Sequence, residues 1–105
     1  MSIKIDSAFN SVENMWNVSI AGELDVSSAE NFKKVLNGLV DENSENIKIN
    51  LENLDYIDST GLGVMVGVLK RLKVNSKGIY LSNPKSNVRK ILEITGLDKI
   101  FNMEG

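Results

Sequence analysis

The sequence predicts an α/β domain built on a small mixed sheet, mostly parallel. Three observations predict it: two opening segments with period-two alternation, a regular strand-helix alternation after them, and an ordinary globular composition. Over 105 residues, apolar types make up 42% and charged types 25%, which is too apolar for a disordered chain. This length suits one domain with a modest core, and residues 1–105 read as one. No repeat, low-complexity tract or linker interrupts them.

Ile3-Lys4-Ile5-Asp6 is the first strand signal, and Trp16-Asn17-Val18-Ser19-Ile20 alternates again with Trp16, Val18 and Ile20 on one face. The polar residues 10–14 between them read as a turn, so the two strands form a hairpin. Gly22-Glu23-Leu24-Asp25 is expected as a loop. Ser27-Ser28-Ala29-Glu30 fits a capping box with Ser27 at the N-cap, and Ala29, Phe32, Val35, Leu36, Leu39 and Val40 follow at helical spacing.

Ile47–Leu51 is the third strand. Residues 53–58 lead from it into Ser59-Thr60-Gly61, and Leu62, Met65, Val66, Leu69 and Leu72 form the stripe of a second helix ending in Lys70, Arg71 and Lys73. Val64, Val68 and Leu62 are expected toward its outer side, as partial packing or as a docking patch. Ile79-Tyr80-Leu81 is a short fourth strand. Asn83-Pro84 opens a third helix with proline at its first position, lined by Val88, Ile91, Leu92 and Thr95 and closed by Gly96 as C′ residue. Leu97, Ile100, Phe101 and Met103 read as an amphipathic helical tail. The order is β-β-α-β-α-β-α plus that tail.

Composition narrows the chemistry. The chain has no Cys, which removes disulfides, thiolate nucleophiles and Cys-type zinc sites. It has no His, which removes a Ser-His-Asp triad and the commonest general base near neutral pH. The net charge of −2 and the lack of a basic patch argue against nucleic acid as a partner. No stretch has the length of a membrane span, and the opening Met-Ser-Ile-Lys-Ile-Asp has no apolar run of signal-peptide length. A cytoplasmic protein without cofactor or metal is expected. With no self-complementary heptad and no extended edge strand foreseen, it is also expected to be a monomer.

In sheets of this kind, sites lie beyond the carboxyl ends of parallel strands. Two loops fall there, residues 22–27 and residues 55–61. The second holds Tyr56-Ile57-Asp58-Ser59-Thr60-Gly61-Leu62-Gly63, with two hydroxyls at a helix start. One reading is plain capping, since Asp, Ser and Thr are ordinary N-cap residues. The sharper reading is a phosphorylation switch. A helix N-terminus offers free N–H donors and a partial positive charge to a phosphate. The added charge of about −1.5 to −2 would alter the surface and leave the fold in place.

Other patterns are weaker. Asp-Ser-Thr-Gly has one residue too many for the Asp-Thr-Gly of an aspartic protease, whose fold is all-β. Gly61 to Gly67 is off by one from a dinucleotide fingerprint, and helix-packing glycine accounts for it better. Asp25, Asp55 and Asp58 suggest a divalent ion as in a receiver domain, but only Asp6 follows the first strand where an acidic pair is needed.

Taken together, Gly22-Glu23-Leu24-Asp25, then Leu54-Asp55-Tyr56-Ile57-Asp58-Ser59-Thr60-Gly61-Leu62-Gly63, then Ser82-Asn83-Pro84 and Thr95-Gly96-Leu97 resemble the STAS domain family. Within that family they look like the stand-alone bacterial anti-sigma-factor antagonists, over nearly the whole chain. The resemblance implies a small mixed sheet with helices mainly on one side. It implies that the unphosphorylated protein binds an anti-sigma factor that is also a serine kinase, and so frees the sigma factor. It further implies phosphorylation at Ser59, with Thr60 as runner-up, and reversal by a metal-dependent (PP2C-type) serine phosphatase. Glu23, Asp25, Asp58, Thr60, Gly61 and Leu62 are then the partner-binding residues, and the chain is a kinase substrate rather than an enzyme.

Overall fold

The computed structural model describes residues 3–104. The strands and helices run β1 (Ile3–Asn10), β2 (Met15–Leu24), α1 (Ala29–Glu42), β3 (Asn46–Ile57), α2 (Ser59–Lys73), β4 (Ile79–Ser82), α3 (Ser86–Ile94) and β5 (Asn102–Glu104), with one 3-10 turn at Leu97–Lys99. The five strands form one sheet in chain order. β1 and β2 are an antiparallel hairpin, and β2 to β5 are parallel neighbours. Asn10 shapes the hairpin turn by accepting the N–H groups of Val12 and Glu13.

The sheet has one buried face. Trp16, Val18 and Ile20 of β2, Ile47, Ile49 and Leu51 of β3, and Ile79 and Leu81 of β4 are buried with Phe32 and Leu36 of α1, Met65 and Leu72 of α2, and Val88 and Leu92 of α3. The intervening Asn17, Ser19, Lys48, Asn50 and Tyr80 are exposed or half-buried on the other face. The helices therefore cover one side, as the family resemblance implied. Each fully buried aliphatic or aromatic side chain here contributes about 1.5–3 kcal/mol relative to exposure. Arg71 joins the two long helices through Asn37 Oδ1 at 2.7 Å and Asp41 Oδ1 at 2.6 Å.

Several elements differ from the sequence expectation. β2 continues through Gly22-Glu23-Leu24, and β3 continues to Ile57. The reason is a pair of register shifts, between Ser19 and Ala21 and between Gly22 and Glu23, by which the 12 residues of β3 pair against 10 of β2. Gly22 sits at the second shift with φ of 111°, a conformation that disfavours any residue with a Cβ. The bulges break the alternation after Leu51, so burial resumes at Leu54 and Ile57.

Pro84 lies before α3 instead of at its first position. Asn83 is left-handed (φ 55°), Lys85 is the extended N-cap, and the helix begins at Ser86. Asn87 fastens this end by donating to the Asp55 carbonyl at 2.8 Å, beside a Lys85–Asp55 ion pair. Thr95 is an exposed C-cap, its hydroxyl donating to the Ile91 carbonyl, while Gly96 takes the expected left-handed C′ conformation. The tail is not helical beyond its single 3-10 turn. Phe101 turns into the core and Asn102–Glu104 add β5 to the edge of β4. Finally, β1 is an eight-residue edge strand, which the sequence reading did not foresee. No helix among the described residues is long and apolar enough to cross a membrane.

Candidate functional site

β2 and β3 are parallel neighbours and end in register at Leu24 and Ile57. Each hands the chain to an aspartate and then to a helix. Asp25 and Asp58 therefore stand side by side at the carboxyl edge of the sheet, where the two expected loops meet. The Asp58 N–H donates to the Leu24 carbonyl at 3.1 Å and ties the two strand ends together.

Asp58 is the N-cap of α2. Its Oδ1 accepts from the Thr60 N–H at 3.0 Å, the Gly61 N–H at 3.3 Å and the Thr60 hydroxyl. These contacts satisfy donors that a helix start leaves open. The Thr60 hydroxyl is thereby committed as a donor to its own cap. That bond, helped by the two backbone N–H groups, holds the Asp58 carboxyl below its usual range, against partial desolvation and, least of all, the Asp25 charge. Ser59, at the first helical position, is exposed, and its hydroxyl makes no hydrogen bond within the described residues.

The neighbouring loop corrects the capping-box expectation. Ser27 is not the cap of α1, and no side chain caps from Ser28 either. The carboxylate of Asp25 gathers the turn instead, accepting from the Ser27 hydroxyl at 2.6 Å and the Ser27 N–H at 2.9 Å. The Ser27 hydroxyl is the main cause of the Asp25 carboxyl lying below its usual range. Ser28 is buried, accepts from the Asp25 N–H at 3.0 Å and donates to the Glu23 carbonyl at 2.8 Å. Glu23 itself lies in β2, opposite Tyr56.

Gly61 is buried for a steric reason. A Cβ there would lie 2.6 Å from Leu24 Cγ and 3.2 Å from Ile57 Cγ1, so only glycine lets α2 start directly over the two strand ends. Gly63 and Gly67 differ: a Cβ at either would meet open space, so they are not packing glycines. Leu62 and Val68 point into the core and only Val64 is half-exposed, which corrects the expected outer apolar side of α2. The α2 stripe is wider than its spacing predicts because α1 and the sheet flank it on two sides.

The structure thus brings together Glu23, Asp25, Asp58, Ser59 and Thr60, places Gly61 beneath them, and buries Leu62. Asp55 stands apart, paired with Lys85. Among the described residues no three acids gather as a metal site. Sequence reasoning missed two apolar side chains at this edge, Val26 (77% exposed) and Tyr56 (45% exposed). Val26 lies between Asp25 and Ser27, where only the turn geometry shows that it must point outward.

Known proteins share this sequence pattern in part and this fold closely. The chain is 36% identical over 91 residues to the anti-sigma-B factor antagonist of Staphylococcus aureus strain NCTC 8325 / PS 47, covering 87% of this chain and 84% of that one. The crystal structure of an anti-sigma factor antagonist from Mycobacterium paratuberculosis matches with a TM-score of 0.80 and 25% identity, over 98% of this chain and 86% of that one. The anti-sigma factor antagonist SpoIIAA in its unphosphorylated form has the same fold, with a TM-score of 0.79 and 22% identity over 97% and 87% of the two chains. The STAS domain profile matches residues 8–105, from within β1 past the end of β5. With that profile spanning all but the first seven residues, and relatives and solved structures agreeing along most of the chain, the chain belongs to the STAS domain family.

Proposed function

We propose that residues 1–105 form one STAS domain that acts in the cytoplasm as an anti-sigma-factor antagonist, switched at Ser59. Unphosphorylated, it binds an anti-sigma factor that is a serine kinase, and the sigma factor is released. The kinase then transfers the γ-phosphoryl group of ATP to Ser59 Oγ. The Oγ–phosphorus bond forms, the bond to the ADP oxygen breaks, and the hydroxyl proton leaves. A metal-dependent (PP2C-type) serine phosphatase reverses the step, and the chain itself is a substrate and not an enzyme.

The observation that carries this reading is the unequal use of the hydroxyls. Ser59 is exposed and uncommitted, whereas Thr60 donates to Asp58. The contact surface in this reading is Glu23, Asp25, Asp58 and Thr60, with Val26 and Tyr56 as apolar contacts and the buried Gly61 seating the helix start beneath them. Leu62 supports that surface from inside the core. A phosphate on Ser59 meets the favourable end of the α2 dipole, so the fold tolerates it. The same charge stands beside Asp58 and Asp25, and a partner face matched to the bare hydroxyl must then desolvate and oppose it.

Incubation with the anti-sigma factor kinase and Mg-ATP, followed by peptide mass spectrometry, tests the reading. One phosphate on Ser59 is expected, abolished in Ser59→Ala and retained in Thr60→Ala. Ser59→Asp should lose kinase binding with an unchanged thermal midpoint. Full labelling of Ser59→Ala overturns the assignment. Absence of any phosphate points to an unswitched STAS scaffold, and saturable nucleotide binding by this chain alone points to a nucleotide-binding module.

A further inference from the structure

The outer edge of β1 has the features of a pairing surface. β1 lies at the end of the sheet, and all eight of its residues pair with β2 in unbroken register. It has no proline and no bulge, and no described strand covers its other side. An edge of this length presents alternate N–H and C=O groups outward, a template for another strand. The opposite edge is β5, which is only three residues long.

Proteins commonly defend such an edge with charge, and here the charges are Lys4 and Asp6. Both are exposed on the uncovered face of the sheet, opposite Ala21 and Ser19 of β2, and neither forms an ion pair among the described residues. They carry opposite signs two residues apart. Against most strands that pattern is neutral, but against its own antiparallel copy it is complementary. Centred on Ile5, the pairing sets each Lys4 opposite an Asp6 of the second copy, twice by symmetry. Centred on Asp6 or on Lys4, it sets like charges face to face. Centred on Ser7, it leaves Lys4 opposite Asn10 and Asp6 opposite Ala8, with no counter-charge for either.

The Ile5-centred register also keeps the two buried faces on the same side, because directly opposed residues of antiparallel strands point the same way. Ile5, half-buried against the core, then meets Ile5 of the second copy. We propose that the outer edge of β1 is a homodimer interface, in which a second copy of this chain pairs antiparallel about Ile5 with reciprocal Lys4–Asp6 contacts, giving a continuous ten-stranded sheet. The contact is isologous and closes on itself. Because β1 and its copy run in opposite directions, the two Ser59 sites lie at opposite ends of the joined sheet, and both stay open.

Sedimentation equilibrium of the full chain from micromolar to millimolar concentration tests this. A reversible monomer–dimer equilibrium that weakens with added salt is expected. Lys4→Asp and Asp6→Lys, each alone, should lower the association constant at least about tenfold by turning both cross-strand pairs repulsive. An equimolar mixture of the two variants should form a heterodimer, and the double variant Lys4→Asp/Asp6→Lys should regain the homodimer. Both positions are exposed, and a matching urea midpoint verifies that each variant folds. A wild-type chain that stays monomeric at millimolar concentration overturns the proposal. So do single variants that associate as well as wild type, or a double variant that stays apart.

Discussion

The turns that leave β2 and β3 are built on one plan and end differently. In each, an aspartate follows the strand and its carboxylate collects hydroxyl and N–H donors from the next residues. After β2, both serines are consumed: Ser27 donates to Asp25, and Ser28 is buried between Asp25 and Glu23. After β3, Asp58 takes only Thr60 and the backbone, the buried position falls to Gly61, and Ser59 is left outside. A hydroxyl at a helix start is thus not in itself a reactive group. It becomes one when its neighbours complete the cap without it.

The largest effect that sharpens this contrast is steric. Gly61→Ala should cost roughly 1–3 kcal/mol, because the new Cβ meets Leu24 and Ile57. Gly63→Ala, two residues on and in open space, should instead stabilise α2 by roughly 0.5–1 kcal/mol. Opposite shifts of the urea midpoint verify the pair, and equal shifts contradict it. Next come the serines. Ser28→Ala leaves the Asp25 N–H and the Glu23 carbonyl without that partner and should cost about 1–3 kcal/mol. Ser59→Ala removes no bond and should stay within about 0.5 kcal/mol of wild type in the same titration.

The smallest effect is on acid stability. Both turn carboxyls are held below their ordinary value of 3.8 in the folded chain. Each therefore contributes stability that is complete above that value and is lost as pH falls through the lowered folded one. Both groups are solvent-exposed, so the loss is modest. With no His, the profile should be flat across roughly pH 5 to 8. Thr60→Ala, which removes the main cause of the Asp58 shift, should shrink the acid loss. A decline that begins near neutral pH would contradict this assignment.

Much of the fold was legible because its signals are local. The alternation of Trp16, Val18 and Ile20 and the helical stripes from Phe32 and Met65 each follow from one face being buried. What escaped notice depends on distant partners. The second half of β3 could not be read because its two bulges are fixed by pairing with β2 and erase the period of two. The spacing of Leu97, Ile100 and Phe101 predicts helix where β5 forms, because the free edge of β4 decides the outcome. At the site, the cluster Asp58-Ser59-Thr60-Gly61 was visible as sequence. Which of its hydroxyls is committed depends on a side-chain rotamer, and the adjacency of Asp25 depends on strand order.

Trp16, the sole tryptophan, lies near the start of β2, with its ring against Phe9 at 5.0 Å and its indole N–H donating to the Asn43 carbonyl at 2.9 Å. Leu24, the strand residue nearest the aspartate pair, is eight residues away, about 26 Å along an extended strand. Tryptophan fluorescence therefore reads out unfolding and is insensitive to what occupies the far end. The same tryptophan signal can follow denaturation of bare and modified forms, so any difference between them reports a change in stability and not a change in the reporter.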